Sequence, residues 1–276
     1  MPGLSWKTSR RVLSFGTRPL VMGILNVTPD SFSDGGRWLD PEKAAARALE
    51  MEAEGADLID IGAESTRPGA EPVPEAEECR RLFPVLEALA GRLAVPLSVD
   101  TTKEAVAAGA LERGAEIVND VAARPELQAL AARTGAGYVL MHARGTPRTM
   151  QALAVYGNVA AEVTAFLREG LAEGARRGLD PAQVACDPGF GFAKTAEHNL
   201  ALLRRLGEVA AVGRPVLVGL SRKSFLKRIA GEAALPLSTG VAEAWAAWQG
   251  AHLWRTHDVQ AARANSLLVE ALATAP

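Results

Sequence analysis

Eight short aliphatic runs separated by helix-like segments constrain this chain more than any other feature. The runs lie at residues 20–25, 58–61, 97–99, 117–118, 138–141, 184–186, 216–220 and 253–254. Most of the intervening segments are rich in Ala, Glu and Arg, with apolar residues three and four apart, which is the period of an amphipathic helix. The alternation of strand and helix predicts an α/β fold built on a parallel sheet.

The length of the repeat favours one architecture. Dividing 276 residues by eight gives about 34 per unit, enough for a strand, a helix and two short loops. We therefore predict a single (β/α)8 barrel, or TIM barrel, domain over residues 1–276. An open doubly wound sheet shows the same alternation, so the period alone leaves that fold open.

Several helix boundaries are marked by local sequence. Asp40 and Pro41 are typical of an N-cap and first turn, Gly55 of the residue past a helix end, and Thr101 or Thr102 of another N-cap. The over-long stretch 144–180 predicts a longer loop followed by a helix over about 158–177.

Composition excludes several classes of function. The 30 Lys and Arg residues against 32 Asp and Glu residues leave a net charge of −2, so no basic surface argues for nucleic acid or an acidic membrane. No window approaches the roughly 20 apolar residues that a membrane span needs. Cys79 and Cys186 have no spacing typical of a disulfide framework or zinc site, which favours the cytoplasm. Residues 1–20 are basic but lack the apolar region of a signal peptide, so we interpret them as a mature N-terminus.

Polar residues follow every predicted strand. They are Asn26, Glu64 to Arg67, Asp100, Asn119 and Asp120, His142, Asp187, Ser221 to Lys223, and Arg255 with His257 and Asp258. In a parallel barrel the carboxyl ends of all strands converge on one face, where barrel enzymes hold their substrates. Loops are often polar for no functional reason. A polar residue directly after each run nevertheless favours a shared site and a small-molecule enzyme.

Three of these loops have a composition of their own. The segment 26–36 (NVTPDSFSDGG) follows the first strand and suits a loop that closes over a ligand, although a long surface turn would have the same composition. The segment 64–70 (ESTRPGA) places an Arg and two hydroxyls as an anion-holding loop would. The segment 187–195 (DPGFGFAKT) is Gly-rich but matches neither the Walker phosphate loop nor the dinucleotide fingerprint.

The cationic strand ends suggest binding of a carbonyl or an anion. Lys223 is a candidate point-charge donor, and Arg255 and His257 are two residues apart, so they share a face of an extended segment and could hold one anion. His142 and Asp258 are weaker candidates, because such residues often only fix loops. We interpret His198 and His252 as structural or surface residues.

Covalent catalysis is not expected. The sequence contains no G-x-S-x-G elbow and no HExxH, and no Cys lies in a strand-end loop. Carboxylates, amides and cations remain. That set suits a polar heterocycle joined to an anionic leaving group.

The motifs taken together resemble one family. NVTPDSFSDGG, GADLIDIGAESTRPGA, SVDT, NDV, LMH followed by GTP, DPGFGF with a later HN, SRKSF and RTHDV occur in this order from residue 26 to residue 258, and the chain thereby resembles dihydropteroate synthases. The resemblance implies a βα barrel, use of Mg²⁺ and a homodimer. It also implies condensation of 7,8-dihydropterin-6-ylmethyl diphosphate with 4-aminobenzoate.

The resemblance also implies roles for individual residues. Catalytic residues would be Asp100, Asp187, Lys223, Arg255 and His257. The pterin would be bound by Asp100, Asn119, Asp187 and Lys223 between the apolar walls Ile117 and Met141. Asn26 would be the magnesium ligand and, with Arg67, Arg255 and His257, would hold the diphosphate. The aminobenzoate pocket would comprise Phe32, Thr66, Pro68, Phe192 and Ser224, with Phe32 and Asp34 on the closing loop.

Two positions depart from the family pattern. Arg144 adds a charge in ARGTP after LMH, and Ala193 stands where Gly is usual after DPGFGF. Ala193 would have restricted backbone freedom if its position needs a positive φ. Two other functions share this pattern in part: a pterin-binding methyltransferase domain, which gives no reason for SRKSF or the long first loop, and a barrel that only binds a folate, which could lose the anion-binding residues.

Overall fold

The computed structural model describes residues 3–28, 40–66 and 69–275, and its strands form two sheets. A short hairpin comes first, in which β1 (Ser5–Lys7) pairs antiparallel with β2 (Val12–Ser14). The parallel strands that follow are β3 (Leu20–Asn26), β4 (Leu58–Gly62), β5 (Leu97–Asp100), β6 (Ile117–Asp120), β7 (Gly137–Met141), β8 (Val184–Asp187), β9 (Leu217–Val218) and β10 (Leu253–Thr256).

The parallel strands form a barrel. Their spatial order is β8-β7-β6-β5-β4-β3-β10-β9, and a parallel bridge between Cys186 and Val216 joins the two ends of that order. The predicted (β/α)8 barrel is confirmed, and each predicted strand is present. The strand β9 is shorter than the predicted segment 216–220, since Gly219 and Leu220 lie beyond its end.

Helices surround the sheet. Those in the described residues are α1 (Pro41–Ala53), α2 (Glu75–Leu89), α3 (Glu104–Glu112), α4 (Pro125–Thr134), α5 (Val159–Arg176), α6 (Ala196–Arg204), α7 (Leu206–Ala210), α8 (Ser224–Ala230), α9 (Leu235–Trp248) and α10 (Val259–Thr274), with 3₁₀ turns at Met150–Leu153 and Pro181–Gln183. Their apolar faces and the outward side chains of the strands form the larger hydrophobic core. Across the described ranges, no helix combines the length and apolar character that a membrane span requires.

The predicted helix boundaries hold at most positions. The Asp40 carboxylate accepts hydrogen bonds from the N–H groups of Glu42 and Lys43, which caps α1, and Gly55 follows the helix with φ +100°. The predicted helix over 158–177 is α5, capped by Asn158. The prediction for α3 is wrong: the N-cap is Lys103, and the Thr101 hydroxyl instead accepts the Lys103 N–H at 3.2 Å.

The hairpin covers the amino-terminal end of the barrel, and no element was predicted there. Trp6 is fully buried, and its indole Nε1 donates to the carbonyl of Gln183 at 2.7 Å. Trp6 and Phe15 pack on residues at or near the start of the strands, including Met22, Leu58 and Leu253. This smaller core fills the barrel interior from below and leaves the carboxyl ends of the strands for a ligand.

Candidate active site

A pocket of about 340 Å³ lies at the carboxyl ends of the strands. It is lined by Thr66, Asp100, Asn119, Val121, Met141, Asp187, Gly189, Phe190, Phe192, Gly219, Lys223 and Arg255. The sheet register explains why they meet: Asp100 pairs with Asn119, and Met141 pairs with Asp187. Eight of the predicted site residues thus line one pocket.

Arg255 is held by two carboxylates at the centre of this pocket. Its Nε donates to Asp60 Oδ2 at 2.6 Å, and its Nη2 donates to Asp100 Oδ2 at 2.8 Å. The same Asp60 oxygen accepts from Asn119 Nδ2 at 2.9 Å. Asp60 therefore positions both a cation and an amide, and its carboxylate partly neutralises the guanidinium.

Asp60 was not predicted as a site residue. It is fully buried in the middle of β4, and its Oδ1 has no hydrogen-bond partner among the described residues. Buried carboxylates without charge compensation are costly, so an acidic residue inside the apolar run LIDIG was the available signal.

Burial shifts the ionisation of the two predicted carboxylates. For Asp100, desolvation raises the pKa to about 7, and Asp60 adds to this while Arg255 opposes it. For Asp187, desolvation again raises the pKa, and the N–H of Gly189, 2.7 Å from Oδ1, opposes the rise. Both groups are therefore sensitive to any charge that binds beside them.

Lys223 lies opposite Asp187 at the N-cap of α8. Burial lowers its pKa to about 8, and the negative charge of Asp187 opposes the shift. Its Nζ lies 4.8 Å from the centre of the Phe192 ring, within reach of a cation–π contact. The ammonium thus connects the carboxylate end of the pocket to its aromatic wall.

Other predicted residues lie outside the pocket lining. His257 lies beside the pocket strand β10, and its Nδ1 is 3.0 Å from the Ser221 hydroxyl, which links the loops after β9 and β10. Asn26 ends β3 and pairs with Gly62. Ser224 is an exposed residue at the start of α8. Ile117 is fully buried two residues below Asn119 and packs in the smaller core with Trp6.

Four predicted residues fall in segments that the structure does not describe. They are Phe32 and Asp34 of the first loop and Arg67 and Pro68 of the second. Thr66, immediately before the second pair, is half-buried and lines the pocket.

His142 and Lys194 form a second polar cluster behind the pocket. Burial lowers the pKa of His142 to about 3, and the charge of Lys194 adds to this. Its Nδ1 lies 3.0 Å from Lys194 Nζ. The structure thus places His142 as a neutral partner of a lysine. Lys194 itself was not predicted, because only the folded turn buries it.

A magnesium site of protein ligands alone is not found in ranges 3–28, 40–66 and 69–275, where no group of three His, Cys, Asp or Glu residues could hold a metal. Magnesium is usually bound by one or two protein oxygens together with substrate phosphates and water. The side-chain amide of Asn26, at the carboxyl end of β3, fits that pattern.

Comparisons with known proteins agree on one family. The model of the family described as "Pterin binding enzyme" matches residues 22–257. The dihydropteroate synthase of Synechocystis sp. is 45% identical over 256 residues, which cover 91% of this chain and 89% of that protein. The dihydropteroate synthase of Mycobacterium leprae is 46% identical over 254 residues, covering 87% and 89%.

Solved structures give the same result. Xanthomonas albilineans dihydropteroate synthase with 4-aminobenzoic acid superposes with a TM-score of 0.91 at 42% identity, covering 99% of this chain and 100% of that one. The Thermus thermophilus enzyme in complex with 6HMPPP gives 0.85 at 43% identity, covering 98% and 100%. The chain therefore belongs to the pterin-binding enzyme family. Within that family it groups with the dihydropteroate synthases, which are transferases.

Proposed function

We propose that this chain condenses 7,8-dihydropterin-6-ylmethyl diphosphate with 4-aminobenzoate to give 7,8-dihydropteroate and diphosphate. The observation that carries the proposal is the convergence of Asp100, Asn119, Asp187, Lys223 and Arg255 on one strand-end pocket. Solved relatives bound to 4-aminobenzoic acid and to 7,8-dihydropteroate support this substrate and this product.

The polar end of the pocket matches the hydrogen-bonding edge of a pterin. A carboxylate accepts two hydrogen bonds, as the amino-pyrimidinone edge requires, and Asp187 is the candidate for that role. Lys223 and Asn119 donate, so they complement the ring acceptors. Asp100 lies between Asn119 and Arg255 and completes the set, with Met141 as an apolar wall.

The diphosphate would lie toward the cations. Among the described residues, Arg255 donates two of its five N–H groups to Asp60 and Asp100, and these bonds fix the plane of the guanidinium. Its other N–H groups could donate to a phosphate. We assign Arg67, His257 and Asn26 to the same anion. Bound Mg²⁺, held through Asn26, would neutralise charge on the leaving diphosphate.

We propose a dissociative reaction. The bond between the pterin methylene carbon and the diphosphate oxygen breaks, and its electron pair leaves with the diphosphate. The carbocation is spread over the pterin ring and stabilised by the carboxylates of Asp100 and Asp187. The amine nitrogen of 4-aminobenzoate then forms the new C–N bond and loses a proton to water. That amine is unprotonated at neutral pH, so positioning and charge stabilisation carry the rate enhancement.

The second substrate would lie against the aromatic side of the pocket. Phe192 and Thr66 line it. We assign Phe32, Pro68 and Ser224 to the same subsite, and Phe32 and Asp34 to a loop that closes over both substrates. Lys223, which contacts Phe192, connects this subsite to the pterin.

We also propose that the chain acts as a homodimer through an apolar face of α9. Leu237, Val241, Trp245 and Trp248 follow helical spacing, and Trp248 is 83% exposed. Leu268 and Leu272 of α10, the helix that contacts α9, are exposed as well. Patches of this kind mark protein interfaces. Sedimentation velocity should show a dimer for the wild type and a monomer for Trp248→Glu, and a monomeric wild type would refute the dimer.

The cytoplasm is the proposed compartment. Cys79 and Cys186 are both free thiols, which suits a reducing environment. A free-thiol count of two on protein isolated from its native cells supports this placement, and a count of zero contradicts it.

Release of diphosphate tests the proposed reaction. Dihydropterin diphosphate is incubated with the protein, with and without 4-aminobenzoate and Mg²⁺. Release that depends on both additions supports the synthase reaction. Binding of the pterin by calorimetry without any turnover would instead favour the methyltransferase or a binding-only barrel.

A further inference from the structure

Lys194 is a buried lysine with three close partners. It is 4% exposed, and its Nζ donates to the carbonyls of Gly189 at 2.9 Å and Phe192 at 3.0 Å. The third partner is His142 Nδ1, from the segment after β7. One ammonium therefore joins two points of the turn after β8 to the neighbouring strand end.

The charged and titratable groups around Lys194 come from three segments: β8, the start of α8 and the segment after β7. Asp187 favours its protonated form, while Lys223 and Arg144 oppose it. His142 is neutral near pH 7, because burial lowers its pKa to about 3, so its Nδ1 can accept a hydrogen bond from the ammonium. Burial lowers the pKa of Lys194 to about 7.

The turn that Lys194 holds has an unusual backbone. Gly189, Gly191 and Ala193 have φ values of +68°, +82° and +48°. A Cβ at Gly189 would come within 2.0 Å of the His142 carbonyl oxygen, so the turn lies directly on the β7 end. Asn199 accepts the Gly191 N–H at 2.8 Å, which fixes the outer side of the turn. The positive φ strains the backbone at Ala193, which unlike the glycines carries a Cβ, and such strain persists only where the surroundings hold it.

The turn carries two phenylalanines that line the pocket. Phe190 is almost fully buried, whereas Phe192 is half-buried and faces Lys223. The Phe192 carbonyl is bound directly by Lys194, so the position of this ring depends on the lysine. Asp187 is less dependent, because its backbone belongs to β8.

We propose that Lys194 is a positioning residue that fixes Phe192 for the amine substrate, and thereby sets the KM for 4-aminobenzoate. This inference rests on the proposed function, which places that substrate against Phe192. Lys194 touches neither substrate in this assignment and acts through the turn.

The test compares Lys194→Met with Lys7→Met. The first replacement keeps an unbranched side chain that is one atom shorter and removes the three polar contacts of Nζ. The second removes an exposed lysine of the hairpin at the opposite end of the barrel, where it pairs only with Asp180 in the described residues. Loss of about 1.4 kcal/mol of hydrogen bonding gives about a tenfold effect. Lys194→Met should raise the KM for 4-aminobenzoate about tenfold and that for the pterin diphosphate less than about threefold. Lys7→Met should match the wild type.

The pH dependence provides the second readout. In the wild type, Lys194 loses its proton as the pH rises through about 7. The wild-type KM for 4-aminobenzoate should therefore rise over this pH range, whereas the KM of Lys194→Arg should rise less, because the arginine stays charged. Asp100 and Lys223 titrate nearby in both proteins, so the difference between the two profiles is the quantity measured.

Each remaining outcome opposes the proposal. Equal increases of both KM values, or unchanged values with parallel pH profiles, would show that Lys194 does not position Phe192. If circular dichroism shows that Lys194→Met and Lys194→Arg are both unfolded, the lysine has a structural role instead. If the wild type makes no dihydropteroate at all, the proposed function fails, which is distinct from a failure of this inference.

Discussion

Replacing Asp60 with Asn should reduce catalysis and lower the pH at which Asp100 ionises. The Asp60 carboxylate accepts one hydrogen bond from the Arg255 guanidinium and one from the Asn119 amide. Asn has a similar shape and could accept both hydrogen bonds through its one oxygen, but it carries no charge to balance the guanidinium, and its N–H groups would lie at the Oδ1 position, which has no partner among the described residues. A hydrogen bond to a charged group contributes about 1.5–3 kcal/mol, so we expect a loss near 3 kcal/mol. That corresponds to a fall of about 100-fold in kcat/KM.

The direction of the pH shift follows from the charges. The negative charge of Asp60 helps to raise the pKa of Asp100 to about 7, and Arg255 opposes this. Removing Asp60 removes the first effect and frees Arg255 to act more strongly on Asp100. The pKa of Asp100 should therefore fall, and the acidic limb of kcat/KM, which reports ionisation in the free enzyme, should move to lower pH.

Asp57→Asn is the matched control. Asp57 precedes β4 at the opposite end and bonds Arg18 at 2.8 Å, far from the pocket. We expect this variant to lose stability but to keep the acidic limb of the wild type. Steady-state rates from about pH 5 to about pH 9 would check both variants. An acidic limb that stays in place or moves upward in Asp60→Asn would refute the electrostatic reasoning.

Three further predictions follow from single residues. Asp187→Asn should lower kcat far more than His142→Ala, because only Asp187 lines the pocket, and equal losses in steady-state assays would contradict the assignment of Asp187 to the pterin. Ala193→Gly should raise the free energy of unfolding in urea by up to about 1 kcal/mol, because Ala193 has φ +48°, and a decrease would argue against strain there. Glu243→Gln should be more stable than the wild type, and the difference in the free energy of unfolding should grow as the pH rises from the unfolded pKa near 4.5 to about 8. The reason is that burial raises the pKa of Glu243 to about 8 and disfavours its charged form. A stability difference independent of pH in thermal unfolding would exclude this shift.

The barrel could be predicted because its strands are buried on both faces. Such strands appear in the sequence as continuous aliphatic runs. Eight runs at this spacing are compatible with few folds other than a barrel. The hairpin could not be predicted in this way. Its strands have three residues each, and Trp6 is buried only because the barrel has an open lower end to fill.

The pocket residues could be predicted where the functional side chain lies at the end of a strand. Asp100, Asn119, Asp187 and Arg255 follow or end aliphatic runs and meet in the pocket. Asp60 was not predicted, because it lies inside the run LIDIG, which was interpreted only as a buried strand.

Burial that depends on tertiary packing was less visible. Lys194 appears in the sequence as an ordinary loop lysine, and only the turn after β8 places it among three acceptors. Ala193 behaved as anticipated, because a position usually held by Gly does have a positive φ. Ile117 lies in the lower core, since the same face of β6 serves both the pocket and the barrel interior.

The most direct test of the account is the stoichiometry of one reaction. Dihydropterin diphosphate, 4-aminobenzoate and Mg²⁺ are incubated with the protein, and dihydropteroate is measured by mass spectrometry alongside free diphosphate. The account predicts one dihydropteroate for each diphosphate released, with both lost in Asp187→Asn. Diphosphate released without dihydropteroate, or no product from a protein that binds the pterin, would contradict it.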